Sequence, residues 1–253
     1  MSRVKQSEIL WQDGEHVFAW LGAGDAEVEK GIASNQYVLL DAESATLLDP
    51  GGHHVFERVF DNLVELMPIE AMTELNLFFS HQDPDVCASL VKWLEIRPSA
   101  HVVVSQLWER FLLHLAVHDI ARLFLVPDEG ALLPLPSGPA LHLVPAHYLH
   151  SPGNFGVYDP RSKILFSGDI GAAVHAHGEP TLFVEDFAEH ATHMRAFHER
   201  YMSSNKALRG WVARVRALEV EMICPQHGSI FRGADVGRFL EWLDGLDVGV
   251  DRS

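Results

Sequence analysis

The segment FFSHQDPDV, residues 78–86, leaves an apolar run and at once sets His81, Asp83 and Asp85 at every second position. An imidazole and two carboxylates are metal-binding donors, nitrogen suiting zinc, iron or copper and oxygen suiting harder ions. The same residues have an ordinary use. Asp83 and Asp85 flank Pro84 and can cap a helix that starts near Val86, where negative charge favours the N-terminus. Other apolar runs end in the same manner: LLDPGG carries Asp49, AHYLHSPGN carries His147 and His150, ILFSGDIG carries Asp169, and MICPQHGSI carries His227. Taken singly, a histidine after a strand is more often a hydrogen-bonded loop residue, and SGD and PGG are good turn chemistry. Taken together, histidines and aspartates recurring at strand ends, three of each in a set such as His81, Asp83, Asp85, Asp169, His227 and one of His147 and His150, point to a metal centre on the loop edge of a layered fold.

Strands and helices must position these residues. HVFAWLGA, QYVLLDA and ATLLDPGG read as strands, the last ending at Asp49. VFERVFDNLVELM, VCASLVKWL and LWERFLLHLAVH space their apolar residues as helices do, and LNLFFS, HVVVS and ARLFLV read as buried strands. The order then repeats. LHLVPAHYL, NFGVYD, KILFSGD and EMICPQHG are strand-like, and VGRFLEWLDGL closes the chain as a helix. HMRAFHERYMSSNKALRGWVARVRAL is helical, in two pieces around Ser203 and Ser204. PDEGALLPLPSGPA, residues 127–140, has four prolines and two glycines and reads as an ordered connection between the halves. Candidate ligands on both sides of it argue for a single domain over 1–253. Two strand-rich halves with their own helices predict an α/β fold, two sheets face to face with helices outside.

Composition narrows the function. The chain has 253 residues, 47% hydrophobic and 21% charged, enough for a large core. Its net charge of −16, from 35 acids against 19 bases, argues against nucleic acid and anionic membrane as partners. Bound cations would offset part of that charge. FLLHLAVHDIARLFLV is too short and too polar to span a bilayer, and MSRVKQSEILWQDGEH lacks the apolar core of a signal peptide. Cys87 and Cys224 make no disulfide framework and read as small packing residues, which fits a reducing cytoplasm.

The order Asp49, His81-x-Asp83-x-Asp85, His150, Asp169, His227 resembles the metallo-β-lactamase fold, from about Val17 to the C-terminal helix. The resemblance implies a four-layer αβ/βα sandwich, two mixed β-sheets flanked by helices, with a metal pair at one edge. Hydrolases of the fold carry His-x-His-x-Asp-His; here Asp83 replaces the second histidine and Val86 the third. The flavodiiron proteins carry His-x-Glu-x-Asp-His around two irons, so an acid at 83 points their way. HQDPDV, LHSPGNF, LFSGDIG and ICPQHG together look most like the oxygen-binding di-iron proteins, relatives of the flavodiiron core implicated in oxygen sensing. No flavodoxin-like stretch follows His227, so no flavin bound by this chain is implied.

Carried over position by position, the resemblance implies that His81, Asp83 and His150 hold one metal, Asp85 and His227 the second, and Asp169 bridges them. Two iron ions are the implied cofactor, with two zinc ions as the alternative. Val86 leaves the second metal one imidazole short, giving either an open position or weak binding. LHSPGNF fits the family better around His150, which leaves His147 beside the ligands or on the strand. Asp49 matches an early family aspartate, whose implied role is to hold ligand or loop geometry by hydrogen bonds. His53 and His54 read as helix caps. His175, His177, His190, His193 and His198 receive no role, though one could face the pocket. Tyr148, Phe155 and Tyr201 read as core or pocket wall.

The function implied is a non-haem di-iron protein that binds dioxygen, as an oxygen sensor or as a reductase of oxygen or nitric oxide fed by an external electron donor. A binuclear zinc hydrolase of a thioester, lactone or phosphoester is the alternative, against which Asp83 and Val86 stand. A metal-free interaction protein is a third reading, disfavoured because clustered carboxylates repel. The resemblance also implies a head-to-tail homodimer and a signalling or electron-donor protein as partner.

Overall fold

The computed structural model describes residues 7–23, 32–115, 122–174 and 181–252; His175 and His177 lie outside them. Successive side chains of a strand point to opposite faces, so a strand apolar on both faces belongs in an inner layer. β2 (His16–Ala23) sends Val17, Ala19 and Leu21 one way and Phe18 and Trp20 the other; β3 (Asn35–Asp41) divides Val38 and Leu40 from Tyr37 and Leu39. With β1 (Glu8–Asp13), β4 (Ser44–Leu48), β5 (Glu74–Phe78), β6 (His101–Ser105) and β7 (Leu123–Val126) they form a sheet in chain order. Its pairs are antiparallel up to β4 and parallel from β4 to β7. The second sheet runs β13-β12-β11-β10-β9-β8, from β8 (Ala131–Leu133), β9 (Leu141–Pro145), β10 (Phe155–Asp159), β11 (Ile164–Gly168), β12 (Met222–Pro225) and β13 (Phe231–Arg232). Only β11 and β12 pair in parallel among its described strands.

Helices cover the outer faces. α1 (Phe56–Leu66) and α3 (Leu90–Ile96) put Val59, Leu63 and Trp93 against the first sheet. α4 (Phe187–Tyr201), α5 (Asn205–Arg216) and α6 (Ala234–Asp244) put Met194, Trp211 and Phe239 against the second. Phe18, Tyr37, Phe78, Phe155 and Phe166 fill the space between the sheets. The layers are those of the metallo-β-lactamase fold, with two mixed sheets. No helix among the described residues is long and apolar enough to cross a membrane.

Local departures from the sequence reading have local causes. VCASLVKWL divides into α2 (Pro84–Cys87) and α3, because Ser89 N–H is turned to the Gly51 carbonyl at 3.2 Å. Residues Gln106–Leu115 wind as a 3₁₀ helix in which only Leu112 is buried, so little packing holds it to α-helical pitch. The chain before and after Ser203 does form two helices, α4 and α5. β1 escaped the sequence reading because its residues are exposed or half-buried and show no clean alternation. α1 starts from Val55 with no side-chain cap, so neither His53 nor His54 caps it.

One buried cluster ties the sheets together at the strand ends opposite those that carry the predicted metal ligands. His16 Nδ1–H donates to Asp41 in the first sheet and Nε2–H to Asp159 in the second, each at 2.9 Å and with all three side chains out of solvent. The remaining carboxylate capacity is used. Ser137 donates to Asp41 from its backbone N–H at 2.7 Å and its hydroxyl at 2.6 Å, which anchors the connection over 127–140. Ser162 and the Arg161 N–H donate to Asp159. Burial opposes a charged His16, but the two aspartates prevail and raise its pKa; burial opposes both carboxylates too, yet their donors hold them below the usual range.

The His16 contribution is complete below its free value and fades as pH climbs through the raised one; the aspartates contribute fully above their free values and lose it as pH falls through the lowered ones. His16→Gln should cost about 3–5 kcal/mol, since it strands buried carboxylates. In denaturant unfolding, the gap between wild type and variant should be widest between about pH 4 and about 6.5 and narrow above it. A gap that stays level across that range and on to about pH 9 would remove the charged clamp.

Candidate metal centre

The strand ends that carry the predicted residues meet on one edge. Asp49 follows β4, His81 to Asp85 follow β5, His150 follows β9, Asp169 follows β11 and His227 follows β12. The sheets are pinned there, since Phe155 N–H donates to the Ser80 carbonyl at 3.1 Å. Gly168 has φ +56°, and a Cβ on it would lie 3.0 Å from Ser80 Oγ, so the turn into Asp169 needs glycine. Asn35 and Tyr37 of β3 reach across to the Pro225 and Gly228 carbonyls and fix the His227 loop.

The donors fall into two groups around Asp169. Its Oδ2 lies 3.8 Å from His81 Nε2 and 3.6 Å from His150 Nε2, while its Oδ1 lies 3.5 Å from His227 Nε2. Asp83 Oδ2 joins the first group, 2.9 Å from His150 Nε2 and 3.7 Å from His81 Nε2. Asp85 Oδ2 joins the second, 3.1 Å from His227 Nε2. Among the described residues, His81, His150 and Asp169 offer donor atoms all within 4.8 Å of one another. Asp83 stands at the N-cap of α2, yet its side chain makes no capping bond and faces His150 instead. His147 is outside both groups: its Nε2 meets the Asp128 carbonyl at 2.7 Å and its ring lies edge-on to Phe155.

Outer contacts orient the rings. Ser80 donates to Asp49 from its backbone N–H at 2.7 Å and its hydroxyl at 2.5 Å, and its Oγ meets His81 Nδ1 at 2.9 Å. A cation at the centre favours the ionised form of Asp49; the Ser80 hydroxyl is then committed to that carboxylate, so His81 Nδ1–H donates to Ser80 Oγ and the Nε2 lone pair faces the centre. His227 Nδ1–H donates to the Ala33 carbonyl at 2.8 Å. The His150 ring is held by contact, beside His81, Phe197 and Tyr201. His198, on α4, accepts from the Gly171 N–H at 3.0 Å and fixes the loop after Asp169; burial pushes its pKa down to about 4, so it stays neutral.

These residues fit a cation. His81 Nε2 and Asp169 Oδ1 are buried and have no hydrogen-bond partner. Burial lowers the His81 pKa, so a neutral ring aims a lone pair at carboxylate oxygens, and acceptors meet acceptors with no proton between. Burial, with Asp169 and Asp85 nearby, raises Asp49 to about 8. Against burial, its bond to Asp85 and the charge of Asp169 lift His227 to about 9. The Asp83 pKa is lowered by its bond to His150, and the Asp85 pKa by His227 despite burial. Cys224 is fully buried with its thiol pKa far up, and burial raises Cys87 to about 11, as packing residues require.

A cleft of about 820 Å³ opens onto the centre, walled by Ile32, His54, Val174, Phe197, Arg200 and Tyr201. The sequence reading did not assign Ser80, His198, Phe197 or His54 to the site. Only Ser80 carried a usable signal, as the immediate neighbour of His81.

The ODP family beta lactamase profile matches residues 32–228 of this chain. A chemotaxis sensor, ODP, solved as a peroxy diiron species, is 44% identical, with a TM-score of 0.85 over 98% of this chain and 97% of its own. The apo state of that sensor from T. denticola gives a TM-score of 0.84 at 44% identity over 97% of each chain. The flavodiiron protein from Giardia intestinalis shares the fold, at 20% identity and a TM-score of 0.76, over 90% of this chain and 56% of that one. Diflavin flavoprotein A 1 from Synechocystis sp. is 24% identical over 224 residues, and the match spans 86% of this chain but 38% of that relative. Matched by the profile over most of its length and at 44% identity to such a sensor, the chain belongs to the ODP family of the beta-lactamase fold.

Proposed function

We propose that this protein is a non-haem di-iron protein that binds dioxygen and acts as an oxygen sensor. The observation that carries it is the division of Asp169, Oδ2 toward His81 and His150 and Oδ1 toward His227. One carboxylate facing two donor groups is what a bridge between paired metals about 3.5–4 Å apart requires. His81, Asp83 and His150 would hold the first iron, Asp85 and His227 the second, with Asp169 shared between them. When bound, the ferrous pair supplies electrons to dioxygen. The chain does the rest. Asp83, Asp85 and Asp169 would offset most of the metal charge, Ser80 with Asp49 would hold His81 in one tautomer, and Phe197 and Tyr201 pack against the His150 ring. A 44% identical chemotaxis sensor with a diiron species supports sensing over turnover. A sensor also needs a protein that reads its state, and a reductase of oxygen or nitric oxide would need an electron donor.

Anaerobic loading with ferrous iron followed by oxygen should give a long-lived visible absorption band. A band that decays while oxygen is consumed with an electron donor present would favour the reductase. Zinc retained in place of iron, with no colour, would turn the reading to the hydrolase. Asp169→Ala should lose the paired binding, and two metals held at wild-type affinity in that variant would sink the bridge. Ser80→Ala frees the His81 ring and should weaken the first metal about 10–100-fold, measured by competition with a chelator.

A further inference from the structure

The two donor groups are unequal. The first has two imidazoles, His81 and His150, with carboxylate oxygens of Asp83 and Asp169; the second has one imidazole, His227, with oxygens of Asp85 and Asp169. Val86 cannot make up the difference: its aliphatic side chain has no donor atom and is buried in the core under the first sheet. His54 lines the cleft together with Asp85, Asp169 and His227. It caps no helix, since α1 begins at Val55 without a side-chain cap. Its loop is fastened to the segment that bears Asp85: Gly51 N–H donates to the Val86 carbonyl at 3.2 Å, Ser89 N–H to the Gly51 carbonyl at 3.2 Å, and Ser89 hydroxyl to the Pro50 carbonyl at 3.3 Å. A Cβ on Gly52 would sit 3.2 Å from His54 Nδ1 and 3.6 Å from Asp85 Cα, so the missing side chain gives the ring its room beside Asp85.

We propose that His54 supplies the second metal with the imidazole that Val86 does not, completing a set with Asp85, Asp169 and His227. The inference rests on the two-metal reading. An exposed side chain on a pinned loop can turn onto an ion without disturbing the core, and four ligands are what a closed zinc position takes. A ligand delivered from the cleft wall also makes the second metal the more readily opened of the two. The test is calorimetric titration of the apo protein with zinc. Wild type should bind two ions. His54→Ala should keep the first step and weaken the second at least about tenfold, while His53→Ala, a change at the neighbouring exposed histidine, should match wild type. Cobalt(II) gives an independent readout: the visible band of the second equivalent should change in His54→Ala and not in His53→Ala. Both steps unchanged in His54→Ala, or equal losses in the two variants, would overturn the assignment. A wild type that binds fewer than two ions would instead overturn the paired-metal reading, and His54 with it.

Discussion

Acceptors facing acceptors govern this molecule's functional edge. Asp49, Asp83, Asp85 and Asp169 converge on a seam between the sheets, and the His81 Nε2 lone pair points into the same space. Like charges so close resist ionisation together, and burial adds to the cost. The chain's own cations relieve only part of it. His150 and His227 pair with Asp83 and Asp85, while His81 Nε2 and Asp169 Oδ1 find no proton. The strand ends, the glycine turn at Gly168 and the bridge from Phe155 to Ser80 are all needed to hold such a set together.

The same fold holds a second histidine–aspartate cluster that solves its electrostatics differently. His16 uses both ring N–H groups on Asp41 and Asp159, and Ser137, Ser162 and Arg161 occupy the remaining carboxylate oxygens. That cluster is closed: every charge meets a partner of this chain, and it can only bind the sheets together. The centre at the other strand ends is open, with lone pairs left over and a cleft leading to them. Residue types are shared between the two; satisfaction of hydrogen bonds separates the structural cluster from the functional one.

That difference explains what could be read from the chain. Ligand candidates were legible because each stood at the end of an apolar run, and strand ends on one sheet edge share a location by construction. His147 and His150 could not be separated by spacing alone, because a turn with Tyr148 and His150 both at positive φ sets which ring faces inward. The His16 clamp was illegible: its partners lie 25 and 143 residues away, and although Asp41 and Asp159 also end apolar runs, nothing local to them distinguishes a clamp from a ligand. His198 was missed for the same reason, acting on Gly171 from 27 residues away. Apolar periodicity found α4 but said nothing of the chemistry on its inner face.

α4 is where the centre meets the rest of the protein. From one helix, Phe197 and Tyr201 touch the His150 ring, and His198 holds the backbone just after Asp169. His150 has no hydrogen bond on Nδ1 to lock it, so its orientation depends on those rings more than His81 depends on any single contact. Tyr201 is 49% exposed, which carries the same contact to the surface. A reductase needs only that substrate and electrons arrive. A sensor needs a displacement at the metal to become a displacement outside, and a ligand held by packing against an exposed aromatic is a shorter route than one locked by a hydrogen-bonded relay. On the proposed two-metal reading, the contrast between His81, fixed through Ser80 and Asp49, and His150, fixed through α4, divides the ligands proposed for the first metal into one that anchors and one that can report.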